Sequence, residues 1–193
     1  MMGLGCPWSS QLFVYKKEYI EIMAILTHTR TQPKTHKMGI HILCNGESYS
    51  CGYTAWSIFR EEVANAAIRY LRLIYDQLLS HPDDERHEEQ TCIEKIIEYV
   101  EVNNCDTIEG FFRFFTEIEF QNAFNYFELG GVYALLNKGD DEGYYTVGNS
   151  LDIADTMELI EPHIIYDDVK TRYDLIKKVF EESVLTRKVV SIC

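Results

Sequence analysis

Asp140, Asp141 and Glu142 follow one another between Gly139 and Gly143, with an apolar segment before them and a helical pattern after. Three carboxylates this close could gather a hard divalent cation, which takes oxygen ligands. The two glycines let the chain turn sharply, because a residue without Cβ reaches positive φ at no steric cost. Helix, acidic loop, helix is also the outline of an EF-hand. That loop takes acids or Asn at positions 1, 3 and 5, Gly at 6 and Glu at 12. With Gly143 as the sixth residue, Asp140 falls third and Glu142 fifth, but Lys138 falls first and Asn149 twelfth. A cation where the first ligand belongs, and no bidentate carboxylate at the end, argue against an EF-hand. What remains is a looser divalent-cation site on Asp140, Asp141 and Glu142, set against a solvated acidic loop that joins two helices.

The stretch Leu135-Leu136-Asn137-Lys138-Gly139-Asp140-Asp141-Glu142-Gly143, followed by a helix through Asp152-Ile153-Ala154, resembles a segment of small uncharacterised proteins of phages, bacteria and large DNA viruses. Those read Leu-Leu-(Asn/His)-x-Ser-Asp-Cys-(Asp/Glu)-Gly before a helix. Here Gly139 stands for the Ser and Asp141 for the Cys. The resemblance spans residues 135–161 and carries no activity, so it supplies no catalytic residue. It does imply a viral or mobile-element origin.

Other reactive side chains sit near a turn. Asn45-Gly46 is a strong hairpin signal, because a type I′ turn needs positive φ at both central positions. That register pairs Cys44 with Glu47, Ile42 with Tyr49 and Ile40 with Cys51. Side chains alternate faces, so Ile40, Ile42, Cys44, Tyr49 and Cys51 share one face while His41, Leu43, Ser48 and Ser50 share the other. His41 therefore points away from both cysteines, which removes a zinc site. Cys44 and Cys51 lie roughly 13 Å apart at the strand rise, too far for a disulfide. Gly46-Glu47-Ser48-Tyr49-Ser50 lacks the last Gly of a nucleophile elbow. His87-Glu88-Glu89 is not a zinc-protease helix, because Thr91 stands where the second His belongs.

The elements that must position these groups can be read from composition and periodicity. The 193 residues fit one domain, or one domain and a tail, and 46% apolar with 13% aromatic residues can build a core. No apolar run approaches the ~18 residues of a membrane span. Net charge is −13, unevenly placed. Residues 1–37 carry five Lys/Arg against two Glu, a surplus of +3; the other 156 carry 13 against 29, giving −16. So acidic a body repels nucleic-acid phosphates and suits a basic protein partner. Six cysteines without CxxC spacing, and no secretory signal, read as free thiols in a reducing, cytoplasmic setting, an infected host cell included.

Residues 1–37 read as a basic, poorly ordered arm, or as an extension ahead of Met38 as the effective start, and residues 38–193 as an acidic helical domain. After the hairpin, Thr54 is a candidate N-cap for a core helix over 55–79, with Trp56, Phe59, Val63, Ala66, Ala67, Tyr70, Leu71, Ile74 and Leu78 at helical spacing. A helix over 88–102 turns Ile93, Ile96, Ile97 and Val100 inward. Phe111 to Phe127 is dense in aromatics on several faces, which predicts deep burial or a break near Thr116–Glu117, ended by Gly130-Gly131. An exposed aromatic patch there is the alternative, and would mark a partner surface. A helix over 149–161 turns Ile153, Ala154, Met157 and Ile160 inward and Asp152, Asp155 and Glu158 outward. Pro162 stops it. A last helix, about 166–186, carries Val169, Tyr173, Ile176, Phe180 and Val184, and Val189–Ile192 is a candidate strand beside the hairpin.

The fold class is mainly α: a single helical domain of about five to six helices with an N-terminal β-hairpin, an α+β arrangement being the alternative. Three functions compete. The first is a non-enzymatic module that binds a protein, basic in character, through an acidic or aromatic surface. The second is a divalent-cation-dependent module on Asp140, Asp141 and Glu142. The third is an enzyme whose site is assembled from separated residues such as His41, Ser50, His87 and His163.

Overall fold

The structure is a computed structural model that describes residues 39–80, 86–137 and 143–193. The basic stretch 1–37 and the acids Asp140, Asp141 and Glu142 lie outside the described residues.

Strands β1 (Ile40–Cys44) and β2 (Glu47–Cys51) form the expected hairpin, in the expected register of Ile40 with Cys51, Ile42 with Tyr49 and Cys44 with Glu47. Asn45 and Gly46 take φ of 48° and 106°, the left-handed values a type I′ turn demands. The hairpin is half of a larger sheet. A C-terminal strand β4 (Val190–Ile192) pairs antiparallel with β1, as its position beside the hairpin suggested. A further strand, β3 (Gly143–Tyr145), pairs with β4 and gives the order β2-β1-β4-β3. The tail of the acidic loop is thus sheet rather than open turn. Ile40, Ile42, Cys44, Tyr145, Val190 and Ile192 all turn to the buried face.

Seven α-helices are seen among the described residues. Helix α1 (Tyr53–Ser80) starts one residue ahead of the expected cap, with the Gly52 carbonyl accepting from Trp56 N at 3.0 Å. It is the central element: Trp56, Phe59, Val63, Ala66, Ala67, Leu71 and Leu78 are buried. Helix α2 (His87–Val102) buries Ile93 and Ile96 as its periodicity required. The aromatic stretch breaks where expected, into α3 (Ile108–Phe114) and α4 (Ile118–Tyr126). Thr107 caps α3, its Oγ1 accepting from Gly110 N at 3.2 Å.

Gly130-Gly131 does not merely end the aromatic stretch. The pair opens a new helix, α5 (Gly130–Leu136), while α4 ends through Glu128, at φ 60°. Gly131 is placed by packing: a Cβ there would lie 2.3 Å from the Asp152 carbonyl oxygen and 2.6 Å from Ile153 Cα. Those atoms belong to α6 (Val147–Ile160), which crosses α5 backbone to backbone. A 3-10 turn (Glu161–His163) follows and contains the Pro162 that stops α6. Helix α7 (Asp167–Thr186) then runs back along α6 and under the sheet, and Val169, Tyr173, Ile176 and Phe180 are buried.

One buried charge locks this end of the fold. Glu62, on α1, has a side chain only 1% exposed and pairs with Arg69 at 2.6 Å. The same oxygen accepts from Ile165 N at 2.8 Å, and Arg69 Nε donates to the His163 carbonyl at 2.8 Å. Glu62→Ala leaves the Ile165 N–H without its acceptor and takes the carboxylate from Arg69, which keeps only its bond to the His163 carbonyl, so it should cost about 3 kcal/mol in urea unfolding. Glu62→Gln keeps an acceptor and should cost less. A Glu62→Ala midpoint equal to the parent's would show that the pair carries no stability.

Candidate functional site

Three places compete for function, and the structure treats them differently. The first is the acidic loop. Its ligand candidates Asp140, Asp141 and Glu142 are outside the described residues, but its two ends are inside. Leu135 and Leu136 are buried at the end of α5, and the chain re-enters as β3. Tyr145 ties the ends together: its hydroxyl donates to the Leu135 carbonyl at 3.4 Å, and its ring meets Phe180 edge-on at 5.2 Å. Asn149, where an EF-hand would need its bidentate Glu, serves α6 instead. Thr146 Oγ1 accepts from Asn149 N at 3.1 Å, and Asn149 Oδ1 accepts from Thr146 N at 3.2 Å, a reciprocal capping box. The acids Asp152, Asp155 and Glu158 are exposed, on the wet side of α6 as its periodicity required.

Among the described residues no three His, Cys, Asp or Glu side chains converge as a metal site. For the loop itself the test is thermal. Binding of calcium or magnesium by the native state alone raises the melting temperature with metal concentration. A cation site on Asp140, Asp141 and Glu142 should shift the midpoint by several degrees at millimolar metal relative to chelator. Identical curves with metal and chelator would remove the cation site.

The second place is the set of separated polar residues. His41 and Ser50 face each other across the hairpin and share a hydrogen bond, Nδ1 to Oγ. His87 is the exposed first residue of α2, on another element. His163 sits in the 3-10 turn, its ring 5.7 Å from Tyr70, and burial and then Arg69 push its imidazole pKa down. The structure thus joins two of the four. The pairing of β4 adds a group the sequence did not suggest: Cys193 exchanges backbone hydrogen bonds with His41, at 2.8 and 3.0 Å.

The other described thiols are poor nucleophiles. Cys44, Cys51, Cys92 and Cys105 are free, and burial is the leading reason each pKa lies above the ordinary thiol value. A thiol held protonated reacts slowly. The aromatic-patch alternative also resolves. Phe111, Phe114, Phe115 and Phe124 are buried, so this stretch is core, with Phe112 and Tyr126 as its exposed margin.

The third place was not foreseen. Helices α6 and α7 lie antiparallel: Ser183 Oγ meets Ser150 Oγ at 2.8 Å, while the Tyr173 hydroxyl donates to the Met157 carbonyl at 2.6 Å. Between their outer faces runs a groove of about 580 Å³. Leu151, Ala154, Val184 and Leu185 line it, and Leu151 and Leu185 are 45% and 81% exposed. The sequence signal was there: both leucines fall outside the core stripes Ile153–Ala154–Met157–Ile160 and Val169–Tyr173–Ile176–Phe180–Val184, although Ala154 and Val184, inward by that spacing, are only half-buried and line the groove. An out-of-phase leucine on a polar helix face marks either an ordinary exposed residue or a contact surface, and only their meeting across two helices favours the second.

No helix among the described residues is long and apolar enough to cross a membrane. Compared with known proteins, the chain matches no family model, no curated protein and no solved structure. The fold is mainly α with a four-stranded antiparallel sheet.

Proposed function

We propose that the chain is a non-enzymatic module that binds a basic protein. The observation that carries this reading is the α6–α7 groove, where uncovered leucines lie among carboxylates. Of these, Glu47, Asp155 and Glu181 have no cationic partner among the described residues. The surplus of −16 after residue 37 supports the same reading, since it speeds encounter with a basic protein and repels nucleic acid. The test is co-purification: a basic protein should be retained at low salt, released as ionic strength rises, and rebind once purified. Retention that is indifferent to salt, or confined to acidic proteins, would refute it.

A second reading keeps Asp140, Asp141 and Glu142 as a divalent-cation site. Its support is the Tyr145–Leu135 tie, which draws together the chain on either side of the acids. The melting comparison above decides it. The resemblance over residues 135–161 supports a viral or mobile-element origin, and the scattered free thiols support a reducing, cytoplasmic setting.

A further inference from the structure

The two long walls of the groove are α6 and α7, whose backbone N–H and C=O groups are bonded within each helix, and strand β2 adds only Glu47 at one end. An extended peptide laid along α6 and α7 would meet the edge strand β2 only at Glu47 and would leave most of its own backbone groups unmatched. A helix satisfies its backbone internally and can seat side chains between those of α6 and α7. The groove runs from Leu151 to Glu158 on α6, two turns or about 10 Å at the helical rise. That length suits a short amphipathic helix.

Charge selects the kind of helix. The lining holds the carboxylates of Glu47, Asp155, Glu158, Glu181 and Glu182 against the ammonium groups of Lys177 and Lys178, a balance of −3. Lys177 is already committed, since it is hydrogen-bonded to Glu158 and to Glu161, the latter at 3.3 Å. A second copy of this chain would bring the same acidic rim and be repelled. Nucleic acid and anionic lipid surfaces meet the same repulsion. A basic helix gains on both counts: its apolar edge covers Leu151 and Leu185, and its flanking Lys or Arg side chains meet the carboxylates.

We infer that the groove between α6 and α7 docks a basic amphipathic helix of a partner protein, an inference that rests on the binding-module reading and assigns it a site. The experiment uses the full chain and three labelled synthetic peptides, read by fluorescence anisotropy. One is a Lys/Leu peptide with leucines on one helical edge. The second is its scramble, of equal composition and no apolar edge. The third replaces each Lys by Glu. The edged Lys/Leu peptide should bind about tenfold or more tighter than its scramble, and the Glu peptide should not bind. Leu185→Ser and Glu181→Lys, both at exposed positions, should each weaken the edged peptide about tenfold. Glu98→Lys, on α2 and away from the groove, should change it less than twofold.

Equal binding of edged and scrambled peptides means charge alone acts, and overturns the inference. Binding that survives both groove variants places the contact elsewhere, which defeats the groove assignment while leaving the module reading intact. If no basic peptide binds and no basic protein co-purifies, the module reading itself falls. Sedimentation of the parent chain covers the remaining occupant: a dimer abolished by Leu185→Ser would show a second copy in the groove and refute the inference.

Discussion

Gly131→Ala should lower the unfolding free energy by about 3 kcal/mol, the upper range for forcing a group into a filled site. In an ordinary helix the same change stabilises by about 1 kcal/mol, because alanine is the better helix former. The sign reverses here because of what the new methyl would meet. It would sit 2.3 Å from the Asp152 carbonyl oxygen and 2.6 Å from Ile153 Cα, both backbone atoms of α6 that cannot swing aside. Helices α5 and α6 would have to separate, and α6 is also one wall of the groove. The neighbouring glycine is the control. A Cβ on Gly130 would meet Asn125 Oδ1 at 2.4 Å, the far end of a side chain that can rotate away. Gly130→Ala should therefore stay within about 1 kcal/mol of the parent. Urea unfolding with unchanged slope distinguishes them, and equal midpoints for the two variants would show that the close approach of α5 and α6 is not needed.

This glycine pair shows what sequence alone could and could not deliver. Two adjacent glycines read as the end of a helix, because glycine is costly inside one. Only the close pass of a second helix, some twenty residues further on, explains why Gly131 lies within one. The same division runs through the fold. Asn45-Gly46 fixed the hairpin register because turn chemistry is local, and the long amphipathic helices announced themselves by their spacing. Strand β3 was missed because Gly143-Tyr144-Tyr145 is too short to alternate visibly, and its partner Val190–Ile192 is remote in sequence. Glu62 was missed for a related reason: on α1 it looks like another solvent-facing acid, and what claims it is Arg69 together with the distant Ile165 N–H. The candidate site divides in the same way. Acids packed into one loop catch the eye in a sequence. A groove built from one leucine on each of two helices becomes visible only when the helices are placed side by side.

Phe114→Ala should be the most damaging single truncation, costing about 3–5 kcal/mol. Phe114 is fully buried where α2, α3 and α4 meet. Its ring stacks on Phe120 at 4.5 Å with an interplanar angle of 1°. It also meets Tyr99, Phe115 and Phe124 edge-on at 5.6, 4.9 and 5.3 Å. Such contacts add about 0.5–1.5 kcal/mol per pair beyond the area they bury, and three helices lose their common contact at once. Phe114→Leu refills much of the volume without the ring edges, and should recover about half of the loss. Phe112, two residues away on α3 and 40% exposed, provides the comparison. Phe112→Ala removes the same atoms from a site that still faces water, so it should cost less than about 1 kcal/mol. The ratio between the two variants separates a buried aromatic junction from a docking surface. If this stretch served a partner, Phe112→Ala would weaken binding while leaving the urea midpoint in place. If it is core, Phe114→Ala should shift the midpoint and collapse the near-ultraviolet circular dichroism, while the Lys/Leu peptide should bind any folded Phe112→Ala chain as it binds the parent. Equal urea midpoints for Phe114→Ala and Phe112→Ala would remove the aromatic junction from the account of what holds α2, α3 and α4 together.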